Sequence, residues 1–264
     1  MSADDIGVRV ERHGSILQII LDRPKANAIN TRVSHALAEA FVELRETADL
    51  RVGVITGGGN KFFSAGWDLK AAASGESVTA DHGPGGFAGL TELFDLHKPV
   101  IAAVNGLAVG GGFELALACD LIIAVEHAAF FLPEPKLGII PDSGGVLRLP
   151  RSLPRHIANE MLLTGRRMSG REALGWGLVN QLVAEAELMA ASMQMASQIA
   201  DNAPLAVQAI KQITRDSQTL TIQTAYQSMR SGGYALYDKM LASHDAKEGI
   251  AAYTEGRAPK WQAC

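Results

Sequence analysis

Lys98-Pro99-Val100-Ile101-Ala102-Ala103-Val104-Asn105-Gly106, resumed three residues later by Gly110-Gly111-Gly112-Phe113-Glu114-Leu115-Ala116-Leu117-Ala118, is the stretch on which the fold turns. The first half is a short apolar run closed by Asn-Gly, the pattern of a buried strand and its turn. In the second half a triple glycine opens into a run rich in Ala and Leu. Glycine tolerates positive φ and Ala and Leu favour helix, so a turn leads directly into a helix. Strand signals recur at residues 16–21, 52–56 and 121–125, and Val33, Leu37, Phe41 and Leu44 return at helical spacing after a cap at Asn30 or Thr31. Strands followed by turns and usually by helices predict an α/β class. From periodicity alone, that order implies a doubly wound sheet.

The glycine-opened helix carries Glu114 in its first turn. Free amides and the helix dipole at such a start stabilise negative charge, whether a resident phosphate or an oxyanion formed during reaction. An ordinary helix–strand contact eased by glycine explains the same residues. A second segment, Lys61-Phe62-Phe63-Ser64-Ala65-Gly66-Trp67-Asp68-Leu69-Lys70, follows a strand and a Gly-rich turn and places another bare amide within its small Ser-Ala-Gly run. Two amides from separate segments make an oxyanion hole. A second acid, Glu134, stands in Leu132-Pro133-Glu134. Two carboxyls beside exposed amides suit acid/base chemistry on a carbonyl compound.

With these residues in view, the chain resembles the enoyl-CoA hydratase/isomerase family, also called the crotonase family. The matching stretches are Leu21-Asp22-Arg23-Pro24-Lys25-Ala26-Asn27-Ala28-Ile29, residues 63–69, residues 98–106, Gly110 to Glu114, Pro133-Glu134 and Gly144-Gly145-Val146-Leu147-Arg148-Leu149. They stand in family order over nearly the whole chain. The resemblance implies a thioester site in which the amides of Ala65 and Gly111 hold the carbonyl oxygen. In that site Glu114 activates water, and Glu134 donates a proton to the α-carbon, for reversible syn hydration. It also implies substrate or CoA contacts at Lys25, Ala26, Ala28, Gly66, Trp67, Asp68, Leu69 and Pro133. CoA arrives as part of an acyl-CoA substrate, so no separate cofactor is implied. A general short-chain hydratase and a double-bond isomerase are the alternatives within the family. The implied fold is the ClpP-like crotonase spiral of ββα units, residues 1–200, followed by a helical region, 201–264, that packs a homotrimer or a hexamer of two trimers.

Three runs, residues 62–73, 83–92 and 141–150, resemble one branch of the family, whose acyl chain ends in a trimethylammonium group. A cationic tail calls for aromatic faces and an acid. Trp67, Phe87, Phe113, Phe131 and Asp142 are the candidates. Arg23 and Lys25 are candidates for the CoA phosphates, in a segment with two residues between Pro24 and Asn27, one fewer than a common family version.

Composition narrows the rest. A chain of 264 residues with 47% hydrophobic content buries a large core. Its net charge of −4 gives no footprint for nucleic acid. The seven histidines are scattered without ligand spacing, so no metal site is expected. Gly106, Gly110, Gly111 and Gly112 do not make the dinucleotide-binding spacing G-x-G-x-x-G. Cys119 and Cys264 suggest no disulfide framework. No apolar run reaches a membrane span and no signal segment is evident, so the chain reads as cytoplasmic. Residues 74–86 read as a flexible loop placed to lie over the acyl pocket, and a short helix is expected over residues 87–96. Helices are expected at 154–164, 171–176, 185–200 and 205–214, with one short strand within 178–183. Tyr253 and Lys260 fall where the family places residues that reach a CoA site.

Overall fold

The computed structural model describes residues 6–264. β1 (Val8–His13) and β2 (Ile16–Leu21) form an antiparallel hairpin, with Val8 opposite Leu21 and His13 opposite Ile16. From β2 onward the main sheet is parallel. It runs β1, β2, β4 (Val52–Gly57), β7 (Val100–Val104), β9 (Leu121–Val125), β12 (Gln181–Val183), so each new strand adds at the growing edge. Every residue of β4 and β7 is buried, which is why these strands read as unbroken apolar runs rather than alternating ones.

The chain does not cross back over this sheet after each strand, as a doubly wound fold would. A second, shorter strand comes first. β5 (Phe62–Ser64), β8 (Leu107–Val109) and β10 (Ala129–Phe131) follow β4, β7 and β9 and pair parallel with one another in a second sheet. β11 (Met168–Ser169) closes that sheet antiparallel to β10. A separate parallel pair joins β3 (Ala28–Ile29) to β6 (Gly66–Trp67). Both large sheets therefore step forward together, turn by turn, in a spiral of ββα units. Strands of two or three residues carry no readable period, so the doubly wound alternative survives in sequence and fails in structure.

Helices complete the turns. α1 (Thr31–Glu46) is capped by Asn30, whose Oδ1 accepts from Val33 N at 3.0 Å. α2 (Leu69–Ala73) and α3 (Gly111–Ala118) follow the second and third turns. α4 (Gly145–Ser152), α5 (Arg155–Thr164) and α6 (Gly170–Gly175) come next, and α7 (Leu188–Ala200) lies across β2, β4, β7 and β9. A single apolar core runs from Val8 to Ala200. Beyond it stand α8 (Pro204–Asp216), α9 (Ile222–Arg230), α10 (Ala235–Ala242) and α11 (His244–Glu255), with Leu205, Ala209, Tyr234 and Ala252 buried outside that core.

The helix expected over residues 87–96 is reduced to one 3₁₀ turn, Phe87–Gly89. Ala88 at φ 55 and Gly89 at φ 68 turn the chain into the left-handed region, which ends a right-handed helix. No helix among the described residues is long and apolar enough to cross a membrane.

Candidate active site

The second sheet positions the chemistry. Its parallel strands β5, β8 and β10 are neighbours, and their carboxyl ends lead into Ala65-Gly66-Trp67, Gly110-Gly111 and Leu132-Pro133-Glu134 respectively. Carboxyl ends of parallel strands are where α/β folds place ligands, and here three consecutive turns deliver to one place.

Glu114 sits in the first turn of α3 and is buried; its Oε1 accepts from Gly145 N, at the start of α4, at 2.8 Å. Glu134 opens the 3₁₀ turn after β10 and is buried as well, with its Oε2 lacking any hydrogen-bond partner. Gly110 separates the two acids. At φ 51, with a Cβ there only 2.5 Å from Glu134 Oε1, no residue with a side chain fits. Both acids line one cavity of about 330 Å³ together with Gly111 and Trp67. Burial pushes the Glu114 carboxyl up to about 8, opposed by the Gly145 amide and helped by the charges of Glu134 and Asp142. Glu134 is pushed up to about 7, again mainly by burial and then by Asp142. Both values lie near neutral pH, Glu114 the higher, so either acid can take or give a proton there.

Ser64 and Asn27, which do not line the cavity, brace the wall that carries Gly66 and Trp67. The Ser64 hydroxyl donates to Asn27 O at 2.7 Å and accepts from Gly66 N at 3.0 Å. Asn27 Nδ2 donates to Gly58 O at 3.0 Å and Phe62 O at 2.9 Å, while its Oδ1 accepts from Arg23 N at 3.0 Å. Sequence reading passed over Asn27 as one letter of a motif; its positive φ of 52 and burial were the signals it could not show. Gly66, at φ +77, lets this wall approach α3, since a Cβ there would lie 2.6 Å from Gly111 N.

One expected donor is corrected. Ala65 N donates to Ala26 O at 2.9 Å, so the bare amide foreseen at Ala65 is already in use. Gly66 N donates to Ser64 Oγ and Asp68 N to Ile29 O, which leaves the amide of Trp67, a residue that lines the cavity, as the candidate donor of this segment. Gly111, the first residue of α3, has no intrahelical acceptor for its N–H and lines the cavity.

The remaining expected contacts divide. Lys25 is exposed, and Ala26 and Ala28 are half-buried, in a loop tied to the Ala65 segment through the Ala26 carbonyl. Asp68 caps α2, with Oδ1 accepting from Lys70 N and Ala71 N, and pairs with Arg23 at 2.7 Å. Arg23 also donates to Ala28 O, so it braces the loop rather than standing free for a phosphate. Leu69 is exposed at the start of α2, and Pro133 immediately precedes Glu134 without lining the cavity. Tyr253 and Lys260 are exposed on or beyond α11.

Of the aromatic candidates, Trp67 and Phe87 line the cavity and so does Asp142. Phe113 instead packs in the core on Phe130, with ring centroids 5.3 Å apart, and Phe131 stacks under Arg167. Trp67 Nε1 donates to Glu76 Oε1 at 3.0 Å, which fixes the indole. The loop does lie over the pocket: Val78, Thr79, Ala80, Asp81, His82 and Gly83 all line it. His82 Nδ1 is 2.8 Å from Ser34 Oγ, which already accepts from Ala88 N at 3.0 Å. Burial lowers the His82 pKa, which favours the neutral ring. Asp81, His82 and Glu92 were missed in sequence because nothing local says which loop residues face inward. No group of three or more His, Cys, Asp or Glu among the described residues is arranged to hold a metal ion.

Comparison with known proteins places this geometry in context. A family model described as enoyl-CoA hydratase/isomerase matches residues 11–263. A carnitinyl-CoA dehydratase of Salmonella arizonae is 59% identical over 255 residues, 97% of this chain and 98% of that protein. Its counterpart in Salmonella typhi is 58% identical with the same coverage. Among solved structures, an enoyl-CoA hydratase from Mycobacterium tuberculosis H37Rv superposes with a TM-score of 0.90 at 42% identity, covering 98% of this chain and 99% of that one. A carnitinyl-CoA hydratase from Mycobacterium avium gives a TM-score of 0.76 at 43% identity, with coverage of 98% and 99%.

Proposed function

Because the chain belongs to the enoyl-CoA hydratase/isomerase family and is a hydro-lyase of the enoyl-CoA hydratase type, we propose that it interconverts carnitinyl-CoA and crotonobetainyl-CoA by means of Glu114 and Glu134. The observation that carries the two-acid reading is the burial of both carboxyls on one cavity beside the amide of Gly111. In hydration the reacting form is the one with the proton on Glu134 and Glu114 ionised, the less populated arrangement because Glu114 is the more basic of the two. Glu114 takes a proton from water as the water oxygen bonds to the β-carbon, and Glu134 gives its proton to the α-carbon. The thioester carbonyl gathers negative charge meanwhile, and the amides of Gly111 and Trp67 hold that oxygen, Trp67 replacing the Ala65 amide. At the end Glu114 is protonated and Glu134 ionised, so one proton passed between the acids restores the start. Dehydration runs the same steps backwards.

The carnitinyl-CoA dehydratases at 58–59% identity support the substrate, while the likeness to a mycobacterial enoyl-CoA hydratase favours a general short-chain hydratase as second reading. Hydration rates on crotonobetainyl-CoA and crotonyl-CoA separate the two. Preference for crotonobetainyl-CoA supports the first, and preference for crotonyl-CoA supports the second. Glu114→Gln and Glu134→Gln should each lower kcat by about 10²- to 10⁴-fold; activity that survives either change refutes the two-acid mechanism. Ile210, Ile222, Tyr226 and Ile250, all exposed on α8, α9 and α11, support the reading that this region packs further copies into a trimer or hexamer.

A further inference from the structure

The catalytic cavity is lined by five carboxyl residues, Asp81, Glu92, Glu114, Glu134 and Asp142, and by no lysine or arginine. Its one histidine, His82, is neutral. Two of these acids perform the proposed chemistry, which leaves Asp81, Glu92 and Asp142 without a task. Among the described residues, none of the three forms an ion pair, although Arg148, which lines the neighbouring cavity, feels the charge of Glu92 and partly offsets it. Asp81 Oδ1 is occupied by the Gly83 amide at 2.8 Å, whereas the side chains of Asp142 and Glu92 accept no hydrogen bond among the described residues and line both this cavity and a larger one of about 900 Å³. Glu134 Oε2 is buried on the same cavity without a hydrogen-bond partner, an acceptor open to a group that enters it.

Such a cavity repels an acidic acyl chain and gives a neutral one no reward for its charges. We propose that Asp142, with Glu92 on the same cavity, supplies the counter-charge that selects an acyl chain ending in a quaternary ammonium. The other walls suit that group rather than a primary ammonium. A quaternary nitrogen donates no hydrogen bond and is surrounded by methyls, so it needs charge at a distance and apolar or aromatic contact. Trp67, Ile139 and Ile140 provide the contact, with the indole already held by Glu76. The inference rests on the hydratase reading and assigns the residues that give it its substrate.

The test compares crotonobetainyl-CoA with its neutral isostere, 5,5-dimethylhex-2-enoyl-CoA, in which carbon replaces the charged nitrogen. The readout is the ratio of kcat/KM for the two, each protein at its own optimal pH. In the full-length enzyme the ratio should favour the cation and decline as salt rises. In Asp142→Asn it should fall about 10-fold, mainly through KM, the scale of one partly screened ion pair. Glu92→Gln should lower it less, and Asp142→Glu should restore most of it. A cation preference unchanged in both Asp142→Asn and Glu92→Gln overturns the assignment and leaves the hydratase reading standing. A wild-type preference for the neutral isostere overturns both.

Discussion

Glu114 and Glu134 are acids that the fold keeps from ionising freely, and the cost falls on stability. Below the unfolded value near 4.5, both folded and unfolded chains hold the Glu114 proton and no penalty exists. As pH rises from there to about 8, the unfolded chain ionises while the folded one resists, so folding loses free energy over that window. Glutamine keeps the oxygen that accepts from Gly145 and removes the charge. Glu114→Gln should therefore be more stable than the native enzyme at pH 8 by about 2 kcal/mol, with the gap closing toward pH 4.5 in urea titrations. An equal gap at both pH values would deny that the carboxyl titrates upward. Both acids were legible in sequence because glycine and proline mark their positions. Asp142 was legible only as a candidate, and Glu92 not at all, since its inward direction comes from packing around Gly86.

At the scale of elements, the decisive local device is Asn27, whose side chain links the segment after β2 to the turn and start of β5 through two bonds, to Gly58 O and Phe62 O, and braces its own segment through a third, from Arg23 N. Asn27→Ala removes all three and leaves the Gly58 and Phe62 carbonyls poorer in donors. It should cost about 2–3 kcal/mol in chemical denaturation and raise KM for acyl-CoA, because the same segment carries Ala26 and the β6 pairing. A loss below 0.5 kcal/mol, roughly the limit of a surface change, would mean the loop is held by its other bonds, Ala65 N to Ala26 O, Ser64 Oγ to Asn27 O and Arg23 to Ala28 O. Here too lies the one misplaced donor. Which amide of Ala65-Gly66-Trp67 stays free depends on how β6 registers against β3, and a two-residue strand leaves no trace of register in sequence. The long strands were readable because burial on both faces forces unbroken apolar runs, whereas the three-residue strands of the second sheet lie below any period.

At the scale of the molecule, α8, α9 and α11 show large apolar side chains to solvent, among them Ile222 at 77% and Tyr253 at 91% exposure. Apolar surface of that kind on a folded chain calls for a partner surface. Sedimentation velocity should return three or six times the 28.0 kDa chain mass, and a monomer that persists at micromolar concentration refutes the assembly. The helical character of this region was legible and its assembly came only from resemblance, because amphipathic helices look alike whether they cover their own core or another copy.

The stepwise order of the spiral has a consequence in time. Strands join the sheets in the order in which they are translated, so the site's parts reach the ribosome exit one turn after another: Trp67, then Gly111 and Glu114, then Glu134. The amide that fixes Glu114 belongs to Gly145, later than all of them. A chain stopped just short of Gly145 thus carries both acids but lacks the donor that aims the first as well as β11, β12 and α7, which complete the sheets and the core, so it should be catalytically silent.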